Sequence, residues 1–226
     1  MTTELLAPYR WLYGDDCPLG DIYAVAFVRG LGPAEVLRRF DPAGAPGREM
    51  TFDELDTEVG EFVMETKGGS GGGYVGVVEA GGWCVAVELW GWSSAVGEAV
   101  SALSRGGELV AVSRHDYADD HFVHALDGAV VTEFDPNVPH YRYGTDAHRL
   151  DGLMREVGMR LDGPDDEPDD DGPGDDELVD GRYDPSLARA FALAARITGV
   201  PFAPELLDGP LLVGQVAKGW AGAGEV

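Results

Sequence analysis

Three of the five histidines fall in one stretch, RHDYADDHFVH, where His115, His121 and His124 are interleaved with Asp116, Asp119 and Asp120. Imidazole and carboxylate groups together make metal sites and acid–base pairs. Spacing limits what these can do. In a strand over 121–126, His121 and His124 project from opposite faces, whereas two ligands on one strand must be two residues apart. His115, Asp119, Asp120 and His121 can still converge across the turn, which is what a metal-dependent, hydrolase-like enzyme built on segment 115–124 requires. The competing reading is a polar hairpin connection with histidines at its ends.

Glu88 interrupts an apolar run, WCVAVEL. An acid there is either half-exposed or buried with a raised pKa, and strand alternation favours the half-exposed version. Trp83, Trp90 and Trp92 lie within ten residues of one another. Such aromatics are large core residues or, with Glu88, the anchors of a partner-binding patch. No serine or cysteine stands in a G-x-S-x-G elbow, and Cys84 sits in a run that reads as buried and therefore inert. The glycines of KGGSGGG precede a strand, so they lack the helix N-terminus that would hold phosphate. None of these patterns calls for a cofactor.

Charge is the strongest compositional signal. The net charge is −25 over 226 residues, and eleven of the nineteen residues in DGPDDEPDDDGPGDDELVD, residues 162–180, are Asp or Glu. Setting Gly172 at the sixth position of a calcium loop places Glu167, Asp169 and Asp171 suitably, but Leu178 falls where a bidentate Glu is needed. The run reads as a solvated, disordered spacer. The remaining residues still carry −14, and they include no clustered Lys and Arg. Nucleic acid and membrane are therefore poor partners, and an acidic surface either attracts a basic protein or simply keeps the protein in solution. No apolar run reaches bilayer-spanning length and the N-terminal residues lack the order of a signal peptide, so the expected location is cytoplasmic. Cys17 and Cys84 are the two cysteines, too few and too isolated for a disulfide framework. Fourteen Arg against two Lys point to a GC-rich bacterial source.

The elements that must position these residues follow from pattern. GDIYAVAFVR, apolar on both faces, is a central strand, and Pro33 opens the helix that follows it. Thr51 and Glu54 form a capping box for a second helix. Residues 74–79 and 83–89 are hairpin strands, and Ser93 or Ser94 caps a helix that Gly106 stops. Glu108 to Ser113 is a strand, and Asp127-Gly128 turns a hairpin between 121–126 and 129–134. Helices are expected over 145–157 and from Pro185 to Gly199, with a short helical segment from Pro204. The expectation is an α+β fold, an antiparallel or mixed sheet of about five to six strands with helices packed mainly on one face. Its parts are a core over 1–161, an acidic loop over 162–181, C-terminal helices over 182–217 packing on that core, and a flexible tail over 218–226.

The ordered features FVRGLGPAEVLRRF, GGWCVAVELWGW, LSRGGELVAVSR, FVHALDGAVVTEFDP and ARAFALAARITGVPF resemble a family of uncharacterised actinobacterial proteins known as a domain of unknown function. The resemblance runs from Tyr9 to about Val213. It implies a single domain and brings no activity or catalytic residue with it. From the residues, the favoured function is a non-enzymatic, acidic, cytoplasmic protein-binding domain, an immunity or regulatory component that engages a basic partner. The alternative is the metal-dependent enzyme of segment 115–124.

Overall fold

A computed structural model describes residues 2–13, 17–68, 72–115, 120–163 and 185–217. Nine strands form one sheet: β1 (Ile22–Arg29), β2 (Arg48–Met50), β3 (Gly73–Ala80), β4 (Trp83–Leu89), β5 (Glu108–His115), β6 (His121–Leu126), β7 (Ala129–Phe134), β8 (Arg142–Tyr143) and β9 (Leu211–Val216). Their order is β2-β9-β3-β4-β1-β5-β6-β7-β8, and every neighbouring pair is antiparallel. The expected five to six strands thus become nine. Of the additional β2, β8 and β9, the short β2 and β8 lie at the sheet edges, where a few residues suffice to form a strand, and the six-residue β9 lies inside the sheet.

Helices cover both faces rather than mainly one. On the first face α2 (Pro33–Phe40) and α4 (Gly97–Ser104) pack Val36, Leu37, Phe40, Val100 and Leu103 against Ala26, Val28, Ala86 and Ala111. On the second, α3 (Phe52–Thr66) and α6 (Pro185–Thr198) bury Leu55, Val59, Phe191 and Leu193 against Val25, Phe27, Val85 and Val110. The short helices α1 (Thr2–Leu6) and α5 (Asp151–Glu156) complete the six among the described residues. Seven consecutive residues of β1 are buried because it lies at the sheet centre between two covered faces.

Local chemistry explains the element ends. The Thr51 hydroxyl accepts from the Glu54 N–H, and the Glu54 carboxylate accepts from the Thr51 N–H, as the capping box requires. Asp127 and Gly128 both take positive φ, 47° and 84°, the twist that suits a two-residue hairpin. Gly107 permits a close crossing: a Cβ there would lie 2.1 Å from the Arg29 carbonyl oxygen. Of the segment 182–217, the described part holds α6, a single turn at Pro204–Leu206, and strand β9 between β2 and β3. The acidic loop over 162–181 lies, apart from its first two residues, outside the described residues, as does the tail over 218–226.

Candidate functional site

Strands β4, β5 and β7 finish at the same end of the sheet where β1, β6 and β8 begin. Here Glu88 is buried to 1% exposure, which corrects the half-exposed position that alternation favoured. Both faces of β4 are covered, so the alternating positions of this strand have no solvent side. The Glu88 carboxylate grips the loop that follows. Its Oε2 accepts from the Ser93 N–H at 3.2 Å and its Oε1 from the Ser94 N–H at 2.7 Å. Burial pushes the Glu88 carboxyl above its ordinary value, and the hydrogen bonds from Ser94 and Ser93 draw it part of the way back. Ser93 and Ser94 therefore form a tight turn, Ser93–Ala95, and α4 starts only at Gly97 with no side-chain cap, contrary to the expected serine N-cap.

Trp90 lies within the loop that Glu88 closes. Its N–H donates to the Ile22 carbonyl at 2.8 Å, its φ is +53°, and the residue remains 53% exposed. A left-handed backbone is unfavourable for a bulky side chain, so this conformation persists only because the surroundings impose it. Trp92, two residues on, turns inward and meets His115 edge to face, with ring centroids 4.6 Å apart. Farther along the same sheet end stand Tyr141 and Tyr143, at 59% and 62% exposure, with Val138 also exposed. At a strand spacing of about 4.8 Å, Trp90 at the end of β4 and Tyr143 on β8, five strands away, are roughly 24 Å apart. Carboxylates of Asp21, Asp120, Glu133 and Asp135 are interspersed among them, and Arg114 faces Asp21 at 3.6 Å.

Trp83 stands apart from Trp90 and Trp92. It starts β4 at the opposite end of the sheet, buried in the core, with the Arg29 guanidinium carbon 5.0 Å from its ring centroid. Arg29 pairs with Glu108, whose Oε1 lies 2.8 Å from Nε2 of the buried His124. Beside this group an open cavity of about 490 Å³ is lined by Arg29, Gly30, Gly107, Glu108, Leu126 and Asp127.

His115, Asp120 and His121 are brought together at the candidate sheet end, whereas Asp119 lies outside the described residues. His121 sits opposite Ser113 on β5, two residues before His115, so the two histidines share a face. The His115 N–H donates to Asp120 Oδ1 at 3.2 Å. His121 Nε2 lies 3.4 Å from Glu133, and burial lowers its pKa although Glu133 acts to raise it. Among the described residues no three His, Cys, Asp or Glu side chains form a metal-holding group. Sequence reasoning did not find Glu133 or the exposed Tyr141 and Tyr143. A signal existed for the tyrosines, since two aromatics flank Arg142 just after a Pro-rich turn.

A family model described as a family of unknown function (DUF6461) matches residues 2–218. No curated protein and no solved structure matches the chain.

Proposed function

Since the chain belongs to DUF6461, a family that brings it no activity, we propose from its own geometry that it is a non-enzymatic protein-binding domain whose contact surface is the Trp90 end of the sheet. One observation carries this reading. Within a loop closed by a fully buried carboxylate, a tryptophan with a left-handed backbone stands half exposed to solvent. Preorganised, exposed Trp and Tyr side chains are what interface anchors are made of. The net charge of −25 supports a basic partner and speeds its encounter. A cytoplasmic immunity or regulatory component that neutralises such a partner fits these properties, and the Arg-for-Lys usage supports an actinobacterial source.

The test uses immobilised full-length protein exposed to a lysate of the source organism. Wild type is expected to retain a protein at low salt and release it at high salt, and Trp90→Ala or Tyr141→Ala is expected to lose it. Retention that ignores both substitutions, or no retention at low salt, overturns the reading.

One arrangement favours the second reading, a metal-dependent hydrolase: His115 and His121 share a face and Glu133 approaches His121. Stoichiometric zinc or manganese in purified protein, lost in His121→Ala, supports that alternative.

A further inference from the structure

At the end of the sheet opposite Trp90, one cation and two carboxylates line the open cavity of about 490 Å³. Arg29, Glu108 and Leu126 fall in one row of the register, and Asp127 follows Leu126 at the turn. Each charged group of this end has a support behind it. The Arg29 guanidinium lies over the Trp83 ring at 5.0 Å and pairs with Glu108 Oε2. Glu108 Oε1 is held 2.8 Å from Nε2 of the buried His124. Asp127 is tied twice to the start of β5: its Oδ1 accepts from the Gly106 N–H at 2.9 Å, and its own N–H donates to the Gly107 carbonyl at 3.0 Å. Both oxygens of Glu108 are thus committed, but Arg29 and Asp127 have capacity to spare. The Arg29 side chain is 59% exposed and carries further N–H donors, and among the described residues Glu108 is the only acceptor they meet. Asp127 Oδ2 receives no hydrogen bond among the described residues.

We propose that this cavity binds a free α-amino acid, its carboxylate on the open edge of Arg29 and its ammonium on Asp127. The inference stands apart from the partner surface at Trp90. Arg29 and Asp127 line one cavity from backbones two strand spacings, about 10 Å, apart, so a ligand that meets both is a small molecule. Charge selects its kind. A simple carboxylate or phosphate would meet Arg29 but would also face Glu108, Asp127 and a body of net charge −25. A simple amine would leave the Arg29 donors unmet. A zwitterion answers both groups and adds no net charge. The guanidinium fork matches a carboxylate in particular. Leu126 offers apolar contact to a ligand side chain, and a Cβ built on Gly106 meets nothing within 4 Å, so the cavity is open above the turn. Because His124, Trp83 and Gly106 already hold the charged groups, binding has little left to order.

The experiment follows the thermal midpoint of the full-length protein with each of the standard L-amino acids at about 10 mM. At least one is expected to raise the midpoint by about 3 °C, the shift produced by a ligand roughly tenfold above its Kd. Calorimetry then compares that amino acid with its deamino and decarboxy analogues, each of which should bind about tenfold more weakly or worse. Asp127→Asn keeps a residue suited to the φ of 47° at the turn but removes the partner of the ammonium. Arg29→Lys keeps the charge but removes the fork. Each variant, shown to be folded by circular dichroism, is expected to lose about tenfold or more in affinity. Trp90→Ala, at the far end of the sheet, should bind as wild type does. No shift with any of the amino acids, an analogue that binds as tightly as its parent, or affinity unchanged in Asp127→Asn or in Arg29→Lys overturns the proposal. Loss of binding in a folded Trp90→Ala overturns it as well. Failure here leaves the partner surface standing, because Trp90 takes no part in this cavity.

Discussion

Glu88 and His121 occupy one polar row across the sheet, and burial acts on them with opposite signs. In register, Glu88 faces Ala24, Ala24 faces Ser113, and Ser113 faces His121. The Glu88 pKa is raised from 4.5, so below that raised value the folded state binds its proton more tightly than the unfolded chain does. Its contribution to stability therefore increases as pH falls through the raised pKa and is complete below about 4.5. The His121 pKa is lowered from 6.5, so the unfolded chain takes up that proton first. Stability is lost as pH falls below about 6.5 and through the lowered value. Urea midpoints of wild type, Glu88→Gln and His121→Gln between pH 4 and 8 separate the two. Glu88→Gln should remove the gain on acidification and His121→Gln the loss; curves parallel to wild type would show that neither group titrates in this range. The importance of Glu88 was legible from its place in an apolar run. Its complete burial was not, because alternation along one strand does not reveal that a second layer covers the other face.

At the scale of elements, glycine marks both a required contact and a dispensable one. Gly107 lies where β5 begins, and its hydrogen faces the carbonyl of Arg29 at the end of β1, leaving no room for a methyl group. Gly60 lies inside α3 with open space where its side chain would be. Gly107→Ala is expected to destabilise by more than about 2 kcal/mol, since backbone must move to admit the new carbon. Gly60→Ala is expected to stabilise by about 0.5–1 kcal/mol through helix propensity alone. Chemical denaturation of the two variants checks both signs, and a neutral Gly107→Ala would mean that the crossing is looser than described. The helices and strands with caps, turns or long periodic patterns were readable, including β1, α3 and the β6–β7 hairpin. Three strands escaped notice. The two residues of β8 and three of β2 carry too little pattern, and LLVGQV of β9 follows Pro204 as a short apolar run that suits a helix as well as a strand. The expected helix over 145–157 shrinks to α5, since residues 145 and 146 donate back to β7 carbonyls instead.

For the whole molecule, acidity is the property that acts at long range. A net charge of −25 repels itself, and ion pairs such as Arg48–Glu58 and Arg142–Asp151, whose arginines are already counted in that sum, do not lower it. Raising sodium chloride from about 0.02 to 0.5 M should therefore raise the thermal midpoint, because screening relieves the repulsion. A falling midpoint would show that surface attractions outweigh it. That charge was plain in the composition, as was the α+β class. Which residues meet across the sheet was not, because strand order and register arise from packing between distant segments. The sheet order also constrains how the protein is made. Strand β9, encoded well after β3, is among the described residues the only strand paired with β2, and it closes the gap beside β3. Arg48 must wait for Val213. On a ribosome, Gly73–Ala80 therefore keeps one bare backbone edge until Leu211–Val216 has been made. The nascent protein should depend on a chaperone, or on rapid release, more than the acidity of its finished form would suggest.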